Sequence, residues 1–233
     1  MANTKLFEEI GSDDKTKRLF AIAGKILSDS KLLSDLEPED RIVDTLEDLQ
    51  TISKVFKLLG AQVVLTMGTF DVFHVGHARY IRKARQNGSL LIVGLDDDEK
   101  ARARKGENRP TIPYIERSEL ITYFRYADVI AKKSIENKKW AMIEAVHPHI
   151  LIAVEGTYSQ EEIGTLQAMC EGMKVIVLPR QAETSTSSKV RRMALYGAEM
   201  LKTALQEVLI KTIHDVVNET IEKTYEDMRD RKE

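Results

Sequence analysis

Between residues 62 and 178 the chain alternates short, apolar, β-rich runs with longer stretches of helical periodicity, and this restricts the possible folds more than any other feature. The runs lie at 62–67, 89–95, 127–131, 149–154 and 174–178. Strands joined through helices run parallel, and a parallel sheet is covered by helices on both faces. The expected class is therefore α/β, and in such a sheet ligands collect beyond the carboxyl ends of the strands, where the chain order switches direction.

Helical stretches flank this region. Leu19, Phe20, Ala23, Ile26 and Leu27 recur at helical spacing, as do Ile42, Leu46, Leu49, Ile52, Val55, Phe56 and Leu59, with Asp35-Leu-Glu-Pro-Glu-Asp as the break between them. From Lys189 onward Met193, Leu201, Leu205, Val208, Leu209, Ile213, Val216 and Val217 repeat the pattern. The expected organisation is a helical extension over 1–60, a catalytic domain over 61–192 and a C-terminal helical extension over 193–233, within a length that suits one sizeable core. Lys plus Arg number 35 against 37 Asp plus Glu, so no global field argues for nucleic acid or an anionic membrane. The one cysteine, Cys170, and the lack of an opening charged-then-apolar segment suggest a reduced, cytoplasmic setting. The apolar runs are too short to span a bilayer.

The chemistry concentrates after the first run. Val63-Val-Leu-Thr leads into Gly68-Thr69-Phe70-Asp71-Val-Phe-His74-Val-Gly76-His77, and a helix-like stretch follows. A helix start offers unpaired N–H groups and partial positive charge, which suit phosphate. Gly76 lets a ligand approach the backbone, and His74 and His77, three apart, share one face of the first turn as proton donors. Taken alone, such a pair also fits a core or metal-ligating role.

The whole stretch resembles the nucleotidylyltransferase superfamily with the His-x-Gly-His signature, in its cytidylyltransferase-like branch. The resemblance implies a Rossmann-like parallel sheet with helices on both faces, here carrying N- and C-terminal helical extensions. It implies transfer of a nucleotidyl group from a magnesium-bound nucleoside triphosphate to a phosphorylated small molecule, by direct in-line attack with release of pyrophosphate. Gly68, Thr69, Phe70, Asp71 and Gly76 would lie against the nucleotide. His74 and His77 would stabilise charge at the reacting phosphate.

Four further stretches extend the resemblance over roughly 62–192. Val93-Gly-Leu-Asp-Asp-Asp98 ends the second run, and Asp98 would hold a nucleotide hydroxyl or the magnesium ion; N-capping of a helix is the competing role. Arg102-Ala-Arg-Lys105-Gly-Glu-Asn-Arg109-Pro is a basic loop that would close on the triphosphate through Lys105, or else a solvated charge run. In Tyr114-Ile-Glu-Arg117 through Arg125-Tyr-Ala-Asp128, the eight-residue spacing lets Arg117 and Arg125 project from one side of a helix toward an anion; surface pairs with Glu116, Glu119 or Asp128 are the alternative. Leu178-Pro-Arg180 through Ser185-Thr186 would hold the outer phosphates, with simple capping by Ser185 or Ser187 as the rival account.

Departures from the pattern bear on specificity. In Val154-Glu-Gly156-Thr157, which looks like the base- and acceptor-binding loop of heptose-phosphate adenylyltransferases, Thr157 stands where an acid is usual and Val154 where a lysine is. Glu183 replaces a usual glycine. Leu-Pro-Arg180 and Phe-Arg125-Tyr-Ala-Asp favour CTP by resemblance; the Lys105-Gly loop leaves ATP open. Family similarity and the apolar extensions suggest a homodimer. The same departures motivate a second expectation, a nucleotide-binding sensor or scaffold without turnover.

Overall fold

The computed structural model describes residues 14–28, 36–181 and 186–230. The chain divides into two compact units, Met1–Glu183 and Thr184–Glu233.

In the first unit six strands form one parallel sheet in the order β1-β4-β3-β2-β5-β6: β1 (Ile42–Val43), β2 (Val63–Gly68), β3 (Leu90–Asp96), β4 (Val129–Lys133), β5 (Ile150–Val154) and β6 (Lys174–Leu178). Each of the five expected runs is a strand. Val63, Val64, Leu65 and all the residues of β3 are buried, as strands covered on both sides must be. In register, Val63 pairs with Leu90 and Thr66 with Val93, while Thr66 also pairs with Ile152 of β5.

Two helical layers sandwich this sheet. Leu65, Leu90, Ile92, Val129 and Leu151 face α1 (Asp14–Ser28), α2 (Leu46–Leu58), α6 (Ala141–Val146) and α7 (Gln160–Met169). Val64, Leu91, Val93, Ile130 and Ile152 face α3 (Val75–Arg85) and α5 (Tyr114–Thr122). Both cores consist of side chains nearly or wholly withdrawn from water, each contributing on the order of 1.5–3 kcal/mol of transfer free energy. A short helix, α4 (Asp98–Lys105), follows β3 directly.

The segment before residue 60 departs from an all-helical reading. Pro38–Arg41 is a 3-10 turn and Ile42, expected on a helix, belongs to β1, pairing with Ile130. Helix α2 starts after Thr45, whose hydroxyl accepts from the Asp48 N–H at 3.1 Å. Its Leu49, Ile52, Val55 and Phe56 join the core on one face of the sheet. A strand of two residues is too short to display a period, and Ile42 falls in phase with the helix behind it, so periodicity alone assigns it to that helix.

In the second unit α8 runs from Thr186 to Asp230, 45 residues. No helix among the described residues is long and apolar enough to cross a membrane.

The chain leaves β2 toward β3 and β4, then returns to lay β5 on the opposite side of β2. The crevice between the carboxyl ends of β2 and β5 is thus the switch point where an open α/β sheet binds ligands.

Candidate active site

The turn from β2 to α3 sits at that switch point. Gly68 ends the strand, and a Cβ there would lie 3.0 Å from the Phe70 ring, close enough that the ring would have to give way by a few tenths of an ångström. Phe70 and Val72 take left-handed conformations, φ 47° and 46°. For L residues this costs about 1–2 kcal/mol each, and for a β-branched valine it is rare. It persists because neighbours fix the turn. Thr69 and Asp71 are buried, and the Asp71 carboxylate accepts from the Thr111 and Ile112 N–H groups at 3.0 Å and pairs with Arg109 at 2.8 Å.

His74 is the N-cap of α3, its Nδ1 accepting from the Gly76 N–H at 3.0 Å. An accepting Nδ1 places the neutral ring's proton on Nε2, so the cap selects the tautomer that presents a donor. The His77 ring stacks on it with centroids 4.0 Å apart and planes 22° off parallel. Phe70 and Phe73 flank His77 at 5.4 and 5.6 Å, and Phe124 backs Phe73 at 5.8 Å. Two imidazoles are thereby oriented before any ligand arrives. Helix α3 is itself tied to the switch point through the Tyr80 hydroxyl, which meets the Thr66 hydroxyl at 2.6 Å and donates to the Ile152 carbonyl at 3.1 Å.

Beside the turn lies a cluster of charge. Asp96, fully buried at the end of β3, accepts from the Thr69 hydroxyl at 2.8 Å and pairs with Arg104 at 2.9 Å, with Lys133 of β4 at 3.7 Å. The Lys105 ammonium is lowered from its ordinary value by desolvation and by the Arg104 and Arg109 charges, against the pull of Asp96 and Asp71. Desolvation lowers Lys133 as well, with Asp96 opposing. Clustered cations gain from a polyanion placed among them. The neighbouring Tyr158 hydroxyl is pushed up to about 12, first by burial and then by Glu162.

Arg117 is the side chain that holds these parts in register. It is 1% exposed, and its guanidinium donates to the carbonyls of Ile112, Thr69 and Asp96 at 2.7, 2.7 and 3.0 Å and to the Asp98 carboxylate at 2.6 Å. It therefore clamps the ends of β2 and β3 to the loop before α5. The capping role considered for Asp98 falls to Asp97, which accepts from the Lys100 N–H at 2.7 Å, while the Asp98 carboxylate stays 36% exposed. The expected pairing of Arg117 with Arg125 does not form on one helix. Helix α5 stops at Thr122, so Arg125 falls in the next turn, exposed, and Asp128 pairs with Arg85 at 2.8 Å instead.

Gly68, Thr69, Phe70, Asp71, His74, Gly76, His77, Asp98, Lys105 and Arg117 thus gather around the ends of β2 and β3. Gly156 lies past β5 in a left-handed turn, φ 80°, where the Glu155 N–H donates to the Leu178 carbonyl at 3.0 Å and ties β5 to β6. Arg180 is exposed beyond β6. Ser185 lies outside the described residues, and Thr186 is the first residue of α8. Asp96, Arg104 and Lys133 were not singled out from the sequence. Asp96 and Lys133 each close an apolar strand, the one signal that marks them.

Burial alone would raise the Asp71 carboxyl, but the N–H groups of Thr111 and Ile112, then Arg109 and Arg117, outweigh it and hold the group below the usual carboxylate range. A depressed folded value gives stability that is present above the unfolded value, about 3.9, and lost as pH falls through the folded one. Denaturant midpoints measured from pH 6 downward should therefore decline below about pH 4. The Asp71→Asn variant should be less stable at neutral pH and show a shallower acid decline; parallel curves for the two proteins would contradict this account.

Residues 65–223 match the cytidylyltransferase-like family pattern. The chain is 36% identical over 124 residues to the bifunctional protein HldE of Geotalea uraniireducens, covering 53% of this chain and 25% of that protein. With the HldE of a Nitratiruptor species it shares 29% over 151 residues, 61% of this chain and 32% of the relative. The chain spans about a quarter to a third of the length of these curated relatives. A crystal structure of the lipopolysaccharide core biosynthesis protein from Thermoplasma volcanium is 21% identical and matches with a TM-score of 0.46, covering 54% of this chain and 100% of that one. The matched stretch opens in β2, takes in the stacked histidines and their cationic surroundings, and covers more than half of the sequence: the chain belongs to the cytidylyltransferase-like family.

Proposed function

We propose that the chain transfers a nucleotidyl group from a nucleoside triphosphate, with CTP favoured and ATP the alternative, to a phosphorylated small molecule, releasing pyrophosphate. The observation that carries this reading is the stacked His74 and His77 pair at the start of α3, set at the switch point beside the Arg104, Lys105 and Arg109 cluster. A phosphate oxygen of the acceptor attacks the α-phosphorus; that bond forms as the bond to the bridging α,β-oxygen breaks, and pyrophosphate carries the electron pair away. An acceptor phosphate already holds the attacking charge, so no side-chain nucleophile or base is required. The protein's contribution is to position the reactants and stabilise charge.

His74 and His77 donate to the oxygens where negative charge builds. Lys105 and Arg180 hold the outer phosphates. Magnesium supplies charge neutralisation on the triphosphate, and the partly exposed Asp98 carboxylate fits it as an oxygen ligand, since this ion commonly takes one or two carboxylates plus phosphates. The loop around Gly156 and Thr157 faces the choice of base and acceptor. A cytoplasmic homodimer completes the reading.

The test is pyrophosphate release with magnesium, each of the four ribonucleoside triphosphates and a panel of phosphorylated polyols, sugars, amino alcohols and riboflavin phosphate. Release dependent on both CTP and one acceptor class is the expected result. Triphosphate binding by calorimetry without release from any pair would instead support a sensor.

A further inference from the structure

Helix α8 carries an apolar face that nothing in its own unit covers. Ala198, Leu201, Leu205, Val208 and Val216 follow one another along one side of the helix, with Thr212 completing the three- or four-residue step. Leu201, Leu205, Val208, Leu209 and Val216 are 56–62% exposed. A row of large apolar side chains this long, on a helix this long, is a surface for another helix.

The charges select the occupant. By sequence the half from 186 to 208 holds four basic residues against two acidic, and the half from 209 to 230 holds six acidic against three basic. A helix whose halves carry opposite net charge is complementary to a copy of itself laid antiparallel, and it repels one laid parallel. The helix dipoles favour the same arrangement. The midpoint of the apolar row falls close to the charge boundary, so one register satisfies both.

We propose that α8 pairs antiparallel with α8 of a second copy, centred near Leu209, and that this pairing is the chain's dimer surface. The inference rests on the homodimer reading and assigns its surface and orientation. Such an interface is isologous, as a two-fold dimer requires.

Light scattering and sedimentation equilibrium on the full chain should return a dimer, and the variant Leu205→Glu with Leu209→Glu should return a monomer, its dissociation constant raised on the order of a hundredfold or more. Both positions are exposed, and unchanged helical circular dichroism confirms the fold. Orientation is read independently from a spin label at Met193→Cys in a Cys170→Ala background. Antiparallel pairing separates the two labels by about 50 Å, from 1.5 Å of rise per residue, whereas parallel pairing brings them to about 10 Å. A monomeric wild-type chain would overturn the homodimer reading and this inference together. A dimer that survives the double variant would overturn the inference alone, and the short label distance would overturn the orientation. A monomeric chain that co-sediments with anionic phosphatidylserine vesicles would assign the face to a lipid surface instead.

Discussion

Replacing His77 with alanine should leave a folded protein with its turnover reduced on the order of a hundredfold or more, about 3 kcal/mol of lost stabilisation at the reacting phosphate. The size follows from preorganisation. The His77 ring is stacked on His74 at 4.0 Å and flanked by Phe70 and Phe73, so it meets developing charge without reorganising. A water filling the alanine cavity would have to be ordered at the moment of reaction. The fold should tolerate the change, since the loss is confined to three ring contacts, with His74, Phe70 and Phe73, each worth about 1 kcal/mol. Nucleotide affinity should fall far less than turnover, because the donor matters most where charge grows. Steady-state rates with calorimetric affinities check this, and a wild-type rate in the variant would remove His77 from the mechanism. His74→Ala should cost turnover too, and with it about 1 kcal/mol of stability, since His74 also caps α3.

The second large effect is on stability. Arg117→Ala should destabilise the first unit by about 3–5 kcal/mol, a large part of the 5–15 kcal/mol that holds an ordinary domain together. It removes the donors for three carbonyls, two of them at the ends of β2 and β3, and strips Asp98 of its cation. Lysine should rescue little, because a single ammonium cannot reproduce a planar fork with donors in several directions. Urea unfolding measures the change directly. A loss below about 1 kcal/mol would mean that the strand ends hold together without the guanidinium.

These two residues also show how far sequence alone reaches. The histidine turn could be placed because its signals are local: an apolar strand, a glycine, two imidazoles three apart and a helix start, all within the fifteen residues from Val63 to His77. The five main strands could be placed for the same reason. What sequence could not separate was a charged side chain facing ligand from one facing protein. Arg117 and Arg125 look alike in sequence, yet one lies under the strand ends and the other in an exposed turn, because α5 stops three residues before Arg125. In the Asp96, Arg104 and Lys133 cluster, Arg104 lies on the helix that follows β3 directly, whereas Lys133 reaches Asp96 only because the sheet order sets β4 beside β3. Likewise β1 owes its place to pairing with β4, some ninety residues further along, which no local period encodes.

Asp71 is an intermediate case. Its position in the signature turn marks it for a role at the site, and the structure shows its carboxylate occupied by two backbone N–H groups and Arg109. It acts on the site by fixing the loop that carries Arg109, whose N–H donates to the Gly106 carbonyl, next to Lys105, at 3.0 Å. The left-handed Phe70 and Val72 belong to the same device, since a turn held at such cost is held by its surroundings.

Two labels in the triphosphate, followed through one reaction with the accepted acceptor, distinguish nucleotidyl transfer from phosphoryl transfer and hydrolysis. Phosphorus-32 at the α position should appear in the acceptor product, and the same isotope at the γ position should appear only in pyrophosphate. Label from the γ position on the acceptor, or released as inorganic phosphate, would mean phosphoryl transfer or simple hydrolysis and would contradict nucleotidyl transfer at this site.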